Sequence, residues 1–244
     1  MNQPLAKRPY NQVLVTGASR GLGLALARGL LALGHCVVLT SRPGAALEET
    51  GDLLRNEHGS RVNWIGADLA DPAVAQSLVQ AAETRFGTLD ALINNAGIGA
   101  WKPLVEWSAQ EVISCVNVNL VAPMLLARAA LPGMMARRRG LIVNIASDLA
   151  RRPLANMAPY VASKHGLLGF SGSLLREAKA HGVKVSTVLP GIIDTAFNGA
   201  LEGSKEETWA LRASALADHV LTLFSLPANV VIDDLTIHPL QQDF

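Results

Sequence analysis

The chain has 244 residues, half of them hydrophobic, which suits one α/β domain with a large buried core. Its 21 basic and 20 acidic residues leave a formal net charge of +1, so the balance offers no basic footprint for a nucleic acid. No apolar run reaches the length of a membrane span without a charge or a proline, and the N-terminus MNQPLAKRPYNQ lacks the apolar core of a signal peptide.

Two cysteines, Cys36 and Cys115, sit in apolar settings and read as buried thiols of a reducing compartment. A soluble, cytoplasmic protein with no membrane partner is expected. Residues 1–11 read as an N-terminal extension and 12–244 as a single domain.

Val13 to Thr16 is a short apolar run and reads as a buried strand. TGASRGLG follows, with Gly17, Gly21 and Gly23, and then LALARGLLALG at helical spacing, stopped by Gly34. A strand, a glycine turn and a helix make a phosphate site. Glycines let the backbone approach the ligand, and the helix N-terminus presents unpaired N–H groups to an anion. The spacing is Gly-x-x-x-Gly-x-Gly, which differs from the common dinucleotide fingerprint.

Cys36 to Thr40 is the second strand. A NAD-binding unit needs an acid near its end for the ribose hydroxyls; here the end reads Ser41-Arg42, and the first acid after it is Glu48. A guanidinium at Arg42, with Arg20 from the glycine turn, suits the 2′-phosphate of NADP(H).

Ala45 to Glu57 reads as a helix and Val62 to Gly66 as a strand. Asp68 follows, placed either to accept the adenine amino group or to cap the next turn with Asp71 and Pro72. Ala73 to Phe86 is an amphipathic helix, and Leu89 to Ile93 a fourth strand ending in Asn94 to Gly97, NNAG. Asparagines there can tie adjacent strands, and Gly97 lets the loop pass close to a ribose. Ser108 and Glu111 form a capping box for a helix through GMM at 133–135. Within it Pro123 removes a backbone bond, giving a kink that frees a carbonyl near the polar Asn119. Arg137 to Arg139 end that helix, where cations suit the macrodipole, and Arg151-Arg152 read as a solvated loop.

Leu141 to Ala146 is the fifth strand and delivers Ser147 at its C-terminal end. Tyr160 to Ala180 is a helix kept slim by Gly166, Gly169 and Gly172 for packing against another helix. Val183 to Leu189 is the sixth strand, followed by Pro190-Gly191 and Thr195. Residues 196–212 read as a loop with short helices, a flap over the site beginning at about residue 195. Ala213 to Phe224 is a helix and Asn229 to Ile237 the last strand. The alternation implies one doubly wound parallel sheet of about seven strands with helices on both faces.

Chemistry concentrates between Ser147 and Lys164. Tyr160 and Lys164 are four apart and share one helix face, so the ammonium can approach the phenol. A nearby cation favours the phenolate, lowering a pKa of about 10 toward the range useful to a general acid or base.

TGASRGLG, NNAG, Ser147, Tyr160-x-x-x-Lys164 and Pro190-Gly191, in that order on those elements, resemble the short-chain dehydrogenases and reductases. The likeness runs from Val13 to the last strand. It implies a three-layer Rossmann fold and hydride transfer between NADP(H) and a small-molecule carbonyl or secondary alcohol, without a metal. By this resemblance Tyr160 is the proton donor in reduction, Lys164 binds the nicotinamide ribose, and Ser147 hydrogen-bonds the substrate oxygen. Asn119 matches the asparagine whose helix kink holds a water of the proton relay.

Cofactor contacts are implied for Gly17, Ser19, Arg20, Gly21, Leu22 and Gly23 in the first turn, and for Ser41, Arg42, Asp68 and Leu69 beyond it. Asn95, Ala96, Gly97, Pro190, Gly191, Ile193 and Thr195 complete that set, with Tyr160 and Lys164. Trp101, Leu149, Ile192 and Phe197 are the expected substrate walls, with Trp209 on the flap. Reducers of 3-oxoacyl thioesters end in a Gly-Gly-containing tail, whereas this chain ends LTIHPLQQDF, more like NADP-dependent carbonyl reductases of broad range. A homo-oligomer, dimer or tetramer, is implied too. The rival reading is a non-catalytic dinucleotide sensor or scaffold on the same fold, against which the filled tyrosine and lysine positions weigh.

Overall fold

A computed structural model describes residues 10–197, 200–201 and 203–242. The expected N-terminal extension thus lies outside the described residues apart from Tyr10 and Asn11, and Tyr10 is buried against Phe224, ring edge to ring face.

Alternating strands and helices build the fold in the expected order. They are β1 (Gln12–Thr16), α1 (Gly21–Ala32), β2 (Cys36–Ser41), α2 (Ala45–His58), β3 (Val62–Gly66), α3 (Val74–Phe86) and β4 (Ala91–Asn94). The second half holds α4 (Ala109–Val116), α5 (Ala122–Ala136), β5 (Gly140–Ile145), α6 (Ala158–Ala178) and β6 (Val183–Pro190). Two short strands, β7 (Ile193–Asp194) and β8 (Leu211–Arg212), precede α7 (Ala213–Leu221) and β9 (Asp234–Ile237).

Seven strands form one parallel sheet in the order β3-β2-β1-β4-β5-β6-β9. Side chains alternate across it: Val13 and Val15 pack with α1 and α7, whereas Leu14 packs on the α3 and α5 side. Both faces are covered, so β5 and β6 are buried throughout and β1 at every position but its first. The order in which the parallel strands are laid down reverses between β1 and β4, and a crevice opens there beyond the strand ends. In-register pairing of Val15 with Ile93 and of Asn94 with Asn144 brings those ends level.

Several boundaries differ from the sequence reading, each for a local reason. The long helix passes through a π-turn at Asn117–Val121, and Pro123, two residues beyond it, cannot donate to the ordinary ladder in that stretch beside Asn119. Helix α6 starts two residues before Tyr160, with a proline in its first turn. Strand β9 begins at Asp234, not Asn229, because residues 227–230 close a turn through the Val230 N–H and the Pro227 carbonyl. The flap is no simple loop: β7 and β8 pair in parallel and clamp its two ends together.

Of the three α6 glycines only Gly166 packs closely, where an added Cβ would come within 2.8 Å of Leu120; Gly169 faces open space and Gly172 meets only Arg176. Cys36 is half-buried rather than buried. The basic runs also tie elements together: Arg137 donates to the Leu89 carbonyl, Arg139 pairs with Asp90, and Arg151, exposed as expected of a solvated loop, binds Asp234. The run Ala109–Ala136 is by length and composition apolar enough to cross a membrane, yet Cys115, Asn119, Leu126 and Met134 along it are fully buried within the fold.

Candidate active site

The glycine turn lies at the mouth of the crevice. Gly17 has φ +64 and Gly21 φ +54, in the left-handed region where a side chain is strained. A Cβ on Gly23 would sit 2.2 Å from the Gly17 carbonyl oxygen, so only glycine fits. The α1 N-terminus has no side-chain cap and no acid in its first turn, which leaves its N–H groups for an anion. These features fit a dinucleotide phosphate.

Ser41 and Arg42 stand at the end of β2, with Arg42 and Arg20 exposed. Ser41 pairs in register with Gly66, which brings the Asp68 turn beside it. Asp68 is exposed and accepts the Ala70 N–H at 3.0 Å, so the capping role holds, with the second carboxylate oxygen still available. Leu22 and Leu69 turn their side chains into the core, leaving only backbone for a ligand, and the Ser19 carbonyl accepts from Thr50.

NNAG closes the opposite wall. Asn94 donates to Asn144, tying β4 to β5, and Asn95 donates to the Thr16 carbonyl while Thr16 Oγ1 accepts the N–H groups of Asn95 and Ala96. Thr16 was not singled out in the sequence, yet it holds this loop against the glycine turn. An added Cβ on Gly21 would meet Thr195 at 3.2 Å, so the segment after Pro190-Gly191 touches the same turn. Ile193 lies in β7 and packs on the core.

From Gly97 the crevice leads to the titratable cluster. A Cβ there would lie 3.5 Å from both Lys164 Nζ and Asn119 Oδ1, and one on Gly99 would press on the Tyr160 ring at 2.8 Å. Ser147, Tyr160 and Lys164 are buried, and Asn119 is fully so. Lys164 donates to the carbonyl of Ile145, the last residue of β5 and two before Ser147, at 2.8 Å. Asn119 locks the loop: its Oδ1 accepts the Ile98 N–H and its Nδ2 donates to the Ile98 carbonyl, both at 2.8 Å, and to Ser163. Its side chain is therefore fully engaged in structure, as the π-turn at 117–121 requires.

The electrostatics correct one expectation. Burial pushes the Tyr160 phenol up to about 12; its hydrogen bond with Ser147 opposes this, while Asp148 and Cys115 add to it. Lys164, with its Nζ 5.7 Å from the ring centroid, does not outweigh that burial. Burial in turn holds Lys164 down at about 8.

Apolar walls surround the phenol. Leu149, Met157 and Cys115 cluster with Tyr160, and the Phe197 ring lies 5.7 Å from it at 58°. Ile192 is half-buried. Trp101 and Trp209 are 62% and 47% exposed and stand outside that cluster. Asp148 and Gln242, both buried and polar, were not anticipated.

The sequence model of the family described as short chain dehydrogenase matches residues 11–206. Granaticin polyketide synthase putative ketoacyl reductase 1 of Streptomyces violaceoruber is 37% identical, over 80% of this chain and 75% of its own. The 3-oxoacyl-[acyl-carrier-protein] reductase FabG of Escherichia coli is 36% identical, over 77% and 75%. Among solved structures, an alcohol dehydrogenase from Thermococcus sibiricus complexed with 5-hydroxy-NADP superposes with TM-score 0.89 at 28% identity, covering 96% of this chain and 98% of that one. A metagenomic short-chain oxidoreductase in complex with NADP gives 0.81 at 35% identity, covering 94% and 97%. With the family matched over most of its length and the sheet, glycine turn and buried Ser-Tyr-Lys cluster in place, the chain belongs to the short-chain dehydrogenase/reductase family of oxidoreductases.

Proposed function

We propose that this oxidoreductase is an NADP(H)-dependent carbonyl reductase acting on a small-molecule carbonyl or the corresponding secondary alcohol. The observation that carries this reading is the crevice from Gly17 past Gly97 to Tyr160, lined at its far end by a buried phenol and ammonium. Bound NADPH supplies the hydride.

Tyr160 gives its proton to the carbonyl oxygen, and a raised pKa keeps that proton on the donor across neutral pH. Ser147 donates a second hydrogen bond to the oxygen as negative charge develops on it. Lys164, 3% exposed, supplies positive charge beneath the ring and a donor toward the ribose. The Asn119 grip on Ile98 keeps the loop over Lys164 in place. Arg42, with Arg20, selects the 2′-phosphate, and the NADP-bound structural relatives support that preference.

The apolar walls Leu149, Ile192 and Phe197, with Trp101 toward solvent, suit a substrate with a hydrocarbon portion, and residues 195–212 act as its flap. The ketoacyl reductases among the relatives bring 3-oxoacyl compounds into the substrate class. The two free cysteines suit a reducing, cytoplasmic setting. The test is oxidation of NADPH and of NADH with a panel of aldehydes, ketones, β-keto esters and 3-oxoacyl thioesters. NADPH-dependent turnover of at least one class is expected; cofactor binding without turnover of any class would favour the sensor reading.

A further inference from the structure

Behind Ser147 lies a buried polar junction for which the proposed reaction has no use. Asp148 is 5% exposed and Gln242, in the C-terminal tail, 7%. The Gln242 Nε2 donates to Asp148 Oδ2, a contact across 94 positions of chain. Its Oε1 accepts the Ile192 N–H at 2.8 Å. The other carboxylate oxygen, Asp148 Oδ1, accepts the Ser147 hydroxyl at 3.2 Å, and Ser147 Oγ accepts the Leu149 N–H. The chain leading into this contact is fixed by the Gly191 N–H on the Ile237 carbonyl and the Gln242 N–H on the Pro239 carbonyl. There is no slack: a Cβ on Gly191 would lie 2.1 Å from Gln242 Oε1.

A carboxylate beside a serine competes with the substrate oxygen for the serine proton. Hydroxyl–carboxylate hydrogen bonds run to about 2.5–2.7 Å when unconstrained, and the Ser147–Asp148 contact is longer, at 3.2 Å. The carboxylate is held instead from its far side by the amide. We infer that Gln242 is a positioning residue: it draws on the Asp148 carboxylate from its far side, so that the hydrogen bond from Ser147 stays long and the serine hydroxyl can turn to the substrate oxygen, and it pins the Ile192 backbone. The inference rests on the role proposed above for Ser147. A side-chain amide is the residue type that fits, because one group must offer a donor to a carboxylate and an acceptor to an N–H. Glutamate lacks the donor and lysine the acceptor.

The test exploits that asymmetry. Gln242→Glu keeps the acceptor for Ile192 but sets acid against acid. Asp148→Asn added to it restores one hydrogen bond with donor and acceptor exchanged, while still offering an oxygen to Ser147. Turnover is measured with NADPH and ethyl acetoacetate, NADPH affinity by fluorescence titration, and folding by thermal melt. Gln242→Glu should lower kcat by roughly tenfold or more with NADPH Kd changed less than about twofold, and the Asp148→Asn/Gln242→Glu pair should recover most of it.

Gln242→Leu, which adds no charge, should also lower kcat. In a Ser147→Ala background Gln242→Glu should add almost nothing. Wild-type kcat in Gln242→Glu, or a paired variant no faster than the single one, would overturn the inference. An undiminished kcat in Ser147→Ala would instead overturn the reading on which it rests, as would a wild-type protein without turnover on any carbonyl class.

Discussion

At the scale of single residues, Tyr160 and Lys164 are displaced from their ordinary values in opposite directions by the same burial, to about 12 and about 8. For Lys164 the unfolded chain binds more protons than the folded one between about pH 8 and 10.5. Its contribution to stability therefore rises with pH across that window, and at pH 7 the full cost of burying the charge is present. Lys164→Met should raise the melting temperature at pH 7 by at most a few degrees, because the relieved cost of burying the charge is partly offset by the Ile145 carbonyl left without its donor. It should also remove the rise between pH 8 and 10 and abolish turnover. A melting temperature lower than wild type at pH 7 would show that the buried ammonium is instead a net stabiliser.

Arg42 is a second residue-scale case. It is exposed, and its guanidinium is free to meet a phosphate. Arg42→Ala should weaken NADPH by about tenfold to a hundredfold and NADH hardly at all, because a hydrogen bond to a charged group contributes roughly 1.5–3 kcal/mol. Equal loss for both cofactors, in paired titrations, would remove the 2′-phosphate assignment.

Among the elements, the flap has the least expected construction. Its ends are held by β7 and β8 and by Asp194, which pairs with Arg212 at 3.1 Å and Lys205 at 3.8 Å. Asp194 is buried while Arg212 is 45% exposed, so solvent screens part of each pair. Asp194→Asn should loosen the flap. Substrate KM should then rise severalfold with kcat falling less, and limited proteolysis within residues 195–210 should quicken. Unchanged proteolysis would assign Asp194 to the core alone.

Little of this was legible in the sequence: two-residue strands carry no periodicity, and β8 finds its partner 18 positions away. The glycine turn and NNAG were legible because their chemistry is local. The Ser147–Tyr160–Lys164 set was legible because helical spacing and strand order place it. Depth was not: spacing four puts Lys164 on the Tyr160 face but says nothing of how far both lie from water, which reversed the expected pKa shift. Gln242 gave no signal at all, since its partners Asp148 and Ile192 are fixed only by the folded tail.

For the whole molecule, apolar surface remains on the outer faces of α5 and α6. Met124 is 40% exposed, and Met124, Leu131, Met135, Phe170 and Leu174, with Arg128 and Glu177 among them, line a cleft of about 240 Å³ between the two helices. Gly169 on α6 faces open space. Such faces suit a symmetric partner, so a dimer or tetramer is expected by analytical ultracentrifugation at micromolar concentration, and Phe170→Glu should shift it toward monomer. A wild-type monomer under those conditions would refute this.

The central claim is that the crevice ends in a proton donor, and Tyr160→Phe tests it most directly, because the variant keeps the ring that packs against Phe197 and removes only the hydroxyl. Steady-state turnover of NADPH with the best carbonyl substrate is measured beside cofactor titration. The expected result is a fall in kcat of at least about 10²–10⁴ with NADPH affinity and melting temperature nearly unchanged. A Tyr160→Phe protein that keeps wild-type turnover would contradict the mechanism.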